Sequence, residues 1–194
     1  MKTSTVCAYV FLGALLLPMC MLSQTSGSPV EKEFVSGGRM EITLESGGYD
    51  IRASGDNRIH VRWNEASGKG VKVKLTVNGS SAQLNVENTP HNFHATVEVP
   101  AMTDLRIRMT AGALTVSGVR GDKDIDSNAG DVNIDVGKSS DWGEVDASVT
   151  AGDLTAPAFA ASKGGLFRSL HWKGPGKYKL RVSLTAGSLK LHSS

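Results

Sequence analysis

The chain has 194 residues, with 22 glycines, 6 prolines, 2 cysteines, and 21 Lys and Arg against 19 Asp and Glu. This length suits one globular unit, and the near balance of charge excludes the general electrostatic pull toward nucleic acid that a strongly basic domain has. Both cysteines, Cys7 and Cys20, fall in an apolar leader, so a chain that has lost the leader has no disulfide, thiol nucleophile or cysteine metal site.

Residues 1–27 carry one charge, Lys2, followed by an unbroken apolar run over 6–17, which is the pattern of a secretory signal peptide. Pro18 and Ser23-Gln24-Thr25-Ser26 interrupt the run well before the roughly 20 apolar residues that a membrane span needs. Thr25 and Gly27 are the small residues a signal peptidase reads, which sets the boundary of the predicted domain at 28–194; cuts near Cys20 or Ser23 stay open. Acylation of Cys20 is a further alternative, with Met19 bulky where lipidation sites carry a small residue. After cleavage no transmembrane segment remains.

The next pattern, over 40–51, alternates Met40, Ile42 and Leu44 with polar residues, reaches Gly47-Gly48, and resumes with Tyr49 and Ile51. Ile59-His60-Val61-Arg62-Trp63 predicts a strand, as does the alternation over 71–77. Asn78-Gly79-Ser80 then predicts a hairpin into Ala82-Gln83-Leu84-Asn85-Val86. Ala95-Thr96-Val97-Glu98-Val99 makes one more strand, closed by Pro100, which cannot donate to a ladder.

From there one phrase recurs: Thr110-Ala111-Gly112-Ala113-Leu114, Asn128-Ala129-Gly130-Asp131-Val132, Thr150-Ala151-Gly152-Asp153-Leu154 and Thr185-Ala186-Gly187-Ser188-Leu189. Seven, five, three and one residues before each glycine lie apolar positions, as in Leu105, Ile107, Met109 and Ala111. The second copy is weaker, with Lys123 and Ser127 in that phase. After the glycine the apolar positions fall two and four residues on, so the parity flips. A strand that keeps both halves on one core must bend or bulge at the glycine. On this template 40–51 is a fifth, diverged copy. No sustained helical period follows the leader, and 157–170 predicts a loop or short capping turn.

The glycines at 112, 130 and 152 are separated by spacings too short for a βαβ unit. The predicted fold is therefore all-β: a single-domain β-solenoid, parallel β-helix-like, with glycine corners and an N-terminal strand and hairpin region. A β-sandwich is the alternative. The longer gap to Gly187 predicts an excursion from the stack around 156–177. The C-terminal copy stops three residues after Leu191, which predicts an exposed or paired last coil and an edge-to-edge homodimer.

The repeated Thr-Ala-Gly-Asp-Leu-Thr phrase, with 166–178 leading into the last copy, resembles the uncharacterised bacterial β-strand-repeat domains of the putative-adhesin, or toast-rack, type. The resemblance covers nearly all of the chain from about Glu31. It implies an exported, solenoid-like protein and carries over no catalytic or binding residue.

Four groups of residues bear on chemistry. Asp124, Asp126, Asp131 and Asp135 form a carboxylate-rich stretch, but its glycine is one place late for a calcium loop and no Glu stands at the twelfth position, so it reads as solvated strand carboxylates. Asp131 and Asp153 follow two corners where the other copies have Gly48, Ala113 and Ser188, and read as turn residues rather than a glycosidase pair. His91 and His94 are the one close pair among His60, His91, His94, His171 and His192, and their spacing puts the rings on different faces. Lys163, Arg168, Lys173, Lys177, Lys179 and Arg181, with Phe167, Trp172 and Tyr178, form a basic and aromatic concentration suited to an anionic glycan or membrane surface. Its structural reading puts Lys179 and Arg181 outward on a strand, with Phe167 and Trp172 plugging the core. Asn78-Gly79-Ser80 also spells a glycosylation sequon, which the hairpin explains.

The sequence thus predicts no catalytic, cofactor-binding or metal residue, no cofactor, and no assignable ligand residue. It predicts a periplasmic, secreted or cell-surface protein with a cell-envelope, glycan or protein partner, serving adhesion-like binding or architecture. The alternatives are a carbohydrate-active β-helix enzyme and an accessory or sensor domain.

Overall fold

The computed structural model describes residues 29–64 and 70–193, with the backbone alone for 162–164. The leader over 1–27, with its cleavage and Cys20 acylation, lies outside the described residues.

The strands in chain order are β1 (Val30–Glu33), β2 (Gly38–Ser54), β3 (Arg58–Trp63), β4 (Lys72–Asn78), β5 (Ser81–Glu87), β6 (His94–Pro100), β7 (Thr103–Ser117), β8 (Lys123–Asp135), β9 (Trp142–Ala156), β10 (Ala161–Lys173) and β11 (Tyr178–His192). Two 3-10 turns, Ser139–Asp141 and Pro157–Phe159, complete the described elements. All eleven strands join one mixed sheet. The predicted strands are present, the Asn78–Ser81 hairpin turns through Gly79-Ser80, and β1 is an addition that the sequence pattern did not mark.

The repeats are the long strands β2, β7, β8, β11 and β9, hydrogen-bonded in that order, parallel and in register. Register places Gly47, Gly112, Gly130, Gly187 and Gly152 in one line across the sheet. The pairing skips one residue, two before the glycine, in every neighbouring pair. Each corner glycine in the line has positive φ, from 114° at Gly130 to 156° at Gly47. A Cβ at Gly112, Gly130, Gly187 or Gly152 would collide with the carbonyl oxygen of the preceding glycine in the line. Glycine is therefore required twice at each of these corners, by backbone conformation and by contact.

The corner folds the sheet. In β7, Leu105, Ile107 and Met109 before the corner and Leu114 and Val116 after it are all buried in one core, and the other copies repeat this pattern. The core face ends three residues before the glycine: Ala111, Ala129 and Ala151 are half-buried and Ala186 is exposed. Beyond β2 the fold opens into two edges, because the first arm of β2 pairs with β5 and its second arm with β6. The architecture shown is an all-β single mixed sheet of eleven strands, bent along its glycine line; the expected all-β class is present, and the stacked coils of a solenoid are not shown.

Two expectations are overturned. The C-terminal copy, β11, is an interior strand flanked by β8 and β9, so it is not an exposed last coil. β9 leaves one strand position vacant beside β8, and the chain fills it last. The segment 157–170 is not a loop leaving the stack: after one 3-10 turn it becomes β10, antiparallel to β9 along its length, and forms an end of the sheet. Its glycines at 164 and 165, read as breakers, lie opposite Asp153 and Gly152 and carry it around the same corner.

Candidate functional site

Because strand residues alternate between faces, the residues six before each corner glycine all point away from the core. Register aligns them as Glu41, Arg106, Asp124, Arg181 and Asp146, and β10 adds His171 opposite Asp146. The row alternates in charge across five strands, from Glu41 to Asp146, and His171 continues it on a sixth. Arg106 bridges Glu41 and Asp124 at 3.6 Å each, and His171 Nδ1 meets Asp146 Oδ1. Two residues along lies a second row, Thr43, Arg108, Asp126, Ser183, Ser148 and Ser169, in which Arg108 faces Asp126 at 4.0 Å. Where the two rows cross from β7 to β10, a shallow hollow of about 600 Å³ is lined by Arg106, Asp124, Asp126, Arg181, Asp146 and His171, with Ser183, Ser148 and Ser169.

This surface alternates donors and acceptors at the strand spacing of about 4.8 Å. Arginine offers a fixed fork of N–H groups, while carboxylates accept and serines do both. Arg106 holds Glu41 and Asp124, and Arg108 faces Asp126.

A second opening of about 730 Å³ lies where the β7–β8 and β8–β9 connections meet, lined by Arg120, Lys123, Asp135, Lys138, Trp142 and Tyr178 among others. Lys123 occupies a core position that is Met40, Leu105, Leu180 or Val145 in the other long strands. It is 2 % exposed. Its Nζ donates to Gly121 O at 3.2 Å and lies 4.8 Å from the Trp142 ring centre. Trp142 is fixed by its indole N–H bond to Val136 O, 2.8 Å. Burial pushes the Lys123 pKa down to about 8, against the opposing pull of Asp104, Asp122 and Asp135. Its signal in the sequence was a charge in an apolar phase.

At the other end of the sheet, His60 on β3 is nearly buried between two carboxylates: Nδ1 is 3.0 Å from Glu31 on β1, and Nε2 is 3.0 Å from Asp56 in the β2–β3 turn. The hydrogen bond to Glu31 leads in raising its pKa, with Asp56 adding to it, while both acids are lowered.

The residues singled out by sequence are dispersed. Asp124 and Asp126 face arginines, while Asp131 and Asp153 sit two strands apart with Ser188 between them. His94 pairs with Asp50 at 3.6 Å, His91 is exposed, and Phe93 between them is buried against Tyr49. Among the described residues no group of three or more His, Cys, Asp or Glu is placed to hold a metal ion. Lys179 and Arg181 point outward, and Trp172 packs on Phe159 with ring centres 4.9 Å apart. Phe167, read as a second plug, is instead 80 % exposed. The Lys163 side chain lies outside the described residues.

No protein-family model matches the sequence, and no curated protein matches it. Among solved structures, the chain is similar to a "putative cell adhesion protein" from Clostridium sporogenes, with a TM-score of 0.51 and 13 % identity over 86 % of this chain and 100 % of that one. Two others are a "putative adhesin" from Parabacteroides merdae, at TM-score 0.31 and 9 % identity over 86 % and 81 % of the two chains, and one from Bacteroides fragilis, at 0.29 and 10 % over 84 % and 95 %. The first likeness is one of fold. The chain is thus an all-β protein that shares its fold with a bacterial protein described as adhesive.

Proposed function

We propose that this is an exported, non-enzymatic binding protein of the cell envelope or cell surface, with an adhesion-like role, whose folded sheet works as a short solenoid presenting its outer face to a glycan. The observation that carries this reading is the alternating row Glu41, Arg106, Asp124, Arg181, Asp146 and His171, aligned by register across six strands. The leader at 1–27 supports export, and the fold shared with a described adhesion protein supports the role.

The test is a glycan and polysaccharide array probed with the processed protein from an exporting host, with mass spectrometry of the same samples for products. Binding without cleavage supports the proposal, cleavage overturns its non-enzymatic part, and silence on the whole panel overturns the glycan.

A further inference from the structure

β10 differs from the other bent strands at its corner. Where those carry Glu-Ser, Thr-Ala or Asn-Ala, β10 carries Leu166 opposite Ala151, with Phe167 next. Leu166 is 64 % exposed and Phe167 80 %, the two most exposed large apolar side chains among the described residues. Phe167 also has φ 53°, a left-handed conformation that a bulky side chain rarely adopts. An aromatic ring held in solvent on a strained backbone gains nothing for folding, and strain of this kind concentrates where a surface is used.

The charge along this segment of chain is one-sided, with Arg168 nearest the pair. From Gly165 to Arg181 the chain carries Arg168, Lys173, Lys177, Lys179 and Arg181 and no Asp or Glu. Arg168 lies against Gly165 at the base of the apolar pair, and its Nε is buried with no hydrogen-bond partner among the described residues. Acidic groups begin one strand inward, on β9: Asp153 opposite Gly164, Asp146 held by His171, and Glu144, which faces Lys173 and pairs with Lys179 at 3.9 Å. β10 has β9 on one side and no strand on the other among those described.

We propose that the β10 end of the sheet docks on an anionic lipid surface, with Leu166 and Phe167 entering the headgroup region and Arg168 meeting lipid phosphates. The pairing of exposed aromatic and aliphatic groups with a cationic, acid-free segment fits a charged interface that has an apolar interior, which a soluble anionic glycan lacks. This surface centres on the β10 corner at Leu166 and Phe167 and borders the outer face assigned to glycan, to which β10 contributes Ser169 and His171.

The experiment is co-sedimentation of the processed protein with phosphatidylcholine vesicles and with equal mixtures of phosphatidylcholine and phosphatidylglycerol, run beside light scattering. The wild type is expected to bind the mixed vesicles in preference to the neutral ones. Phe167→Gly, which suits the left-handed backbone, and Phe167→Asn, which tolerates it, are expected to weaken binding by about tenfold without lowering the melting temperature. Equal binding to neutral vesicles, binding unchanged in both variants, or no vesicle binding with a Phe167-dependent dimer would each overturn the proposal, the last by showing that a second copy covers the patch.

Discussion

The interior of the folded sheet and its ends at β10 and β1 bend and pack under different rules. Inside, β7, β8, β11 and β9 turn their corners on glycines whose neighbours are backbone carbonyls, so the corner residue is fixed by contact. At the β10 end the equivalent Gly165 lies against the side chain of Arg168, and the next two positions accept Leu and Phe. At the β1 end, a short strand is fastened by charge, with His60 between Glu31 and Asp56. Backbone geometry therefore leaves the stack little latitude, whereas side chains define its ends and the ends have room to acquire binding roles.

The sharpest way to break this comparison is to add one methyl group at each kind of corner. Gly130→Ala places Cβ on the Gly112 carbonyl at a φ of 114° and is expected to cost more than about 4 kcal/mol or to abolish folding. Gly165→Ala, at φ 109°, meets a flexible guanidinium and is expected to cost about 1–2 kcal/mol. Urea denaturation of the two variants measures the difference, and equal costs would remove the distinction between interior and end.

Lys123 is the interior's exception. Its pKa falls from the ordinary 10.5 to about 8, so in that interval the unfolded chain holds more protons than the folded one and stability rises with pH. The penalty is fully present below pH 8, and from that shift it is on the order of 3 kcal/mol. Lys123→Leu, which matches Leu105 and Leu180 beside it, is expected to stabilise the protein and to flatten the wild-type rise between pH 8 and 10.5, as read by denaturation at several pH values. A destabilised variant would mean that the ammonium's contacts with Gly121 and Trp142 outweigh its desolvation.

The smallest effect belongs to the β1 clasp. The raised pKa of His60 gives stability that is present below the ordinary imidazole value of 6.5 and is lost as pH rises through the higher folded value. The lowered pKa values of Glu31 and Asp56 give stability that is lost as pH falls below the ordinary carboxylate range. His60→Gln is expected to remove that loss at rising pH, seen by comparing melting temperatures from pH 5 to 8. Identical profiles for the variant and the wild type would show that β1 is held by its ladder alone.

Much of the fold was legible because the repeats share one phase: the parity flip at Gly112 marked the bend, and the five copies marked the long strands. Their order in space was not, since parallel strands with the same apolar positions can exchange neighbours without changing the core, and β11 takes a vacancy that the intervening chain leaves open. β10 was hidden by glycines at 164 and 165 that read as breakers until β9 gave them partners. The charge rows were present residue by residue but became a surface only through register. Lys123 stood out as a break in pattern, but its meaning depends on Trp142 and the β8–β9 connection, which no local spacing reveals.

The most direct measurement of the central claim is glycan-array binding by the wild type beside Arg181→Glu, which places a third carboxylate between Asp124 and Asp146 in the outer row. With circular dichroism unchanged, the variant is expected to lose binding by tenfold or more, on the order of 1.4 kcal/mol, and neither protein to release products. Unchanged binding by the variant, or cleavage by the wild type, would contradict the account.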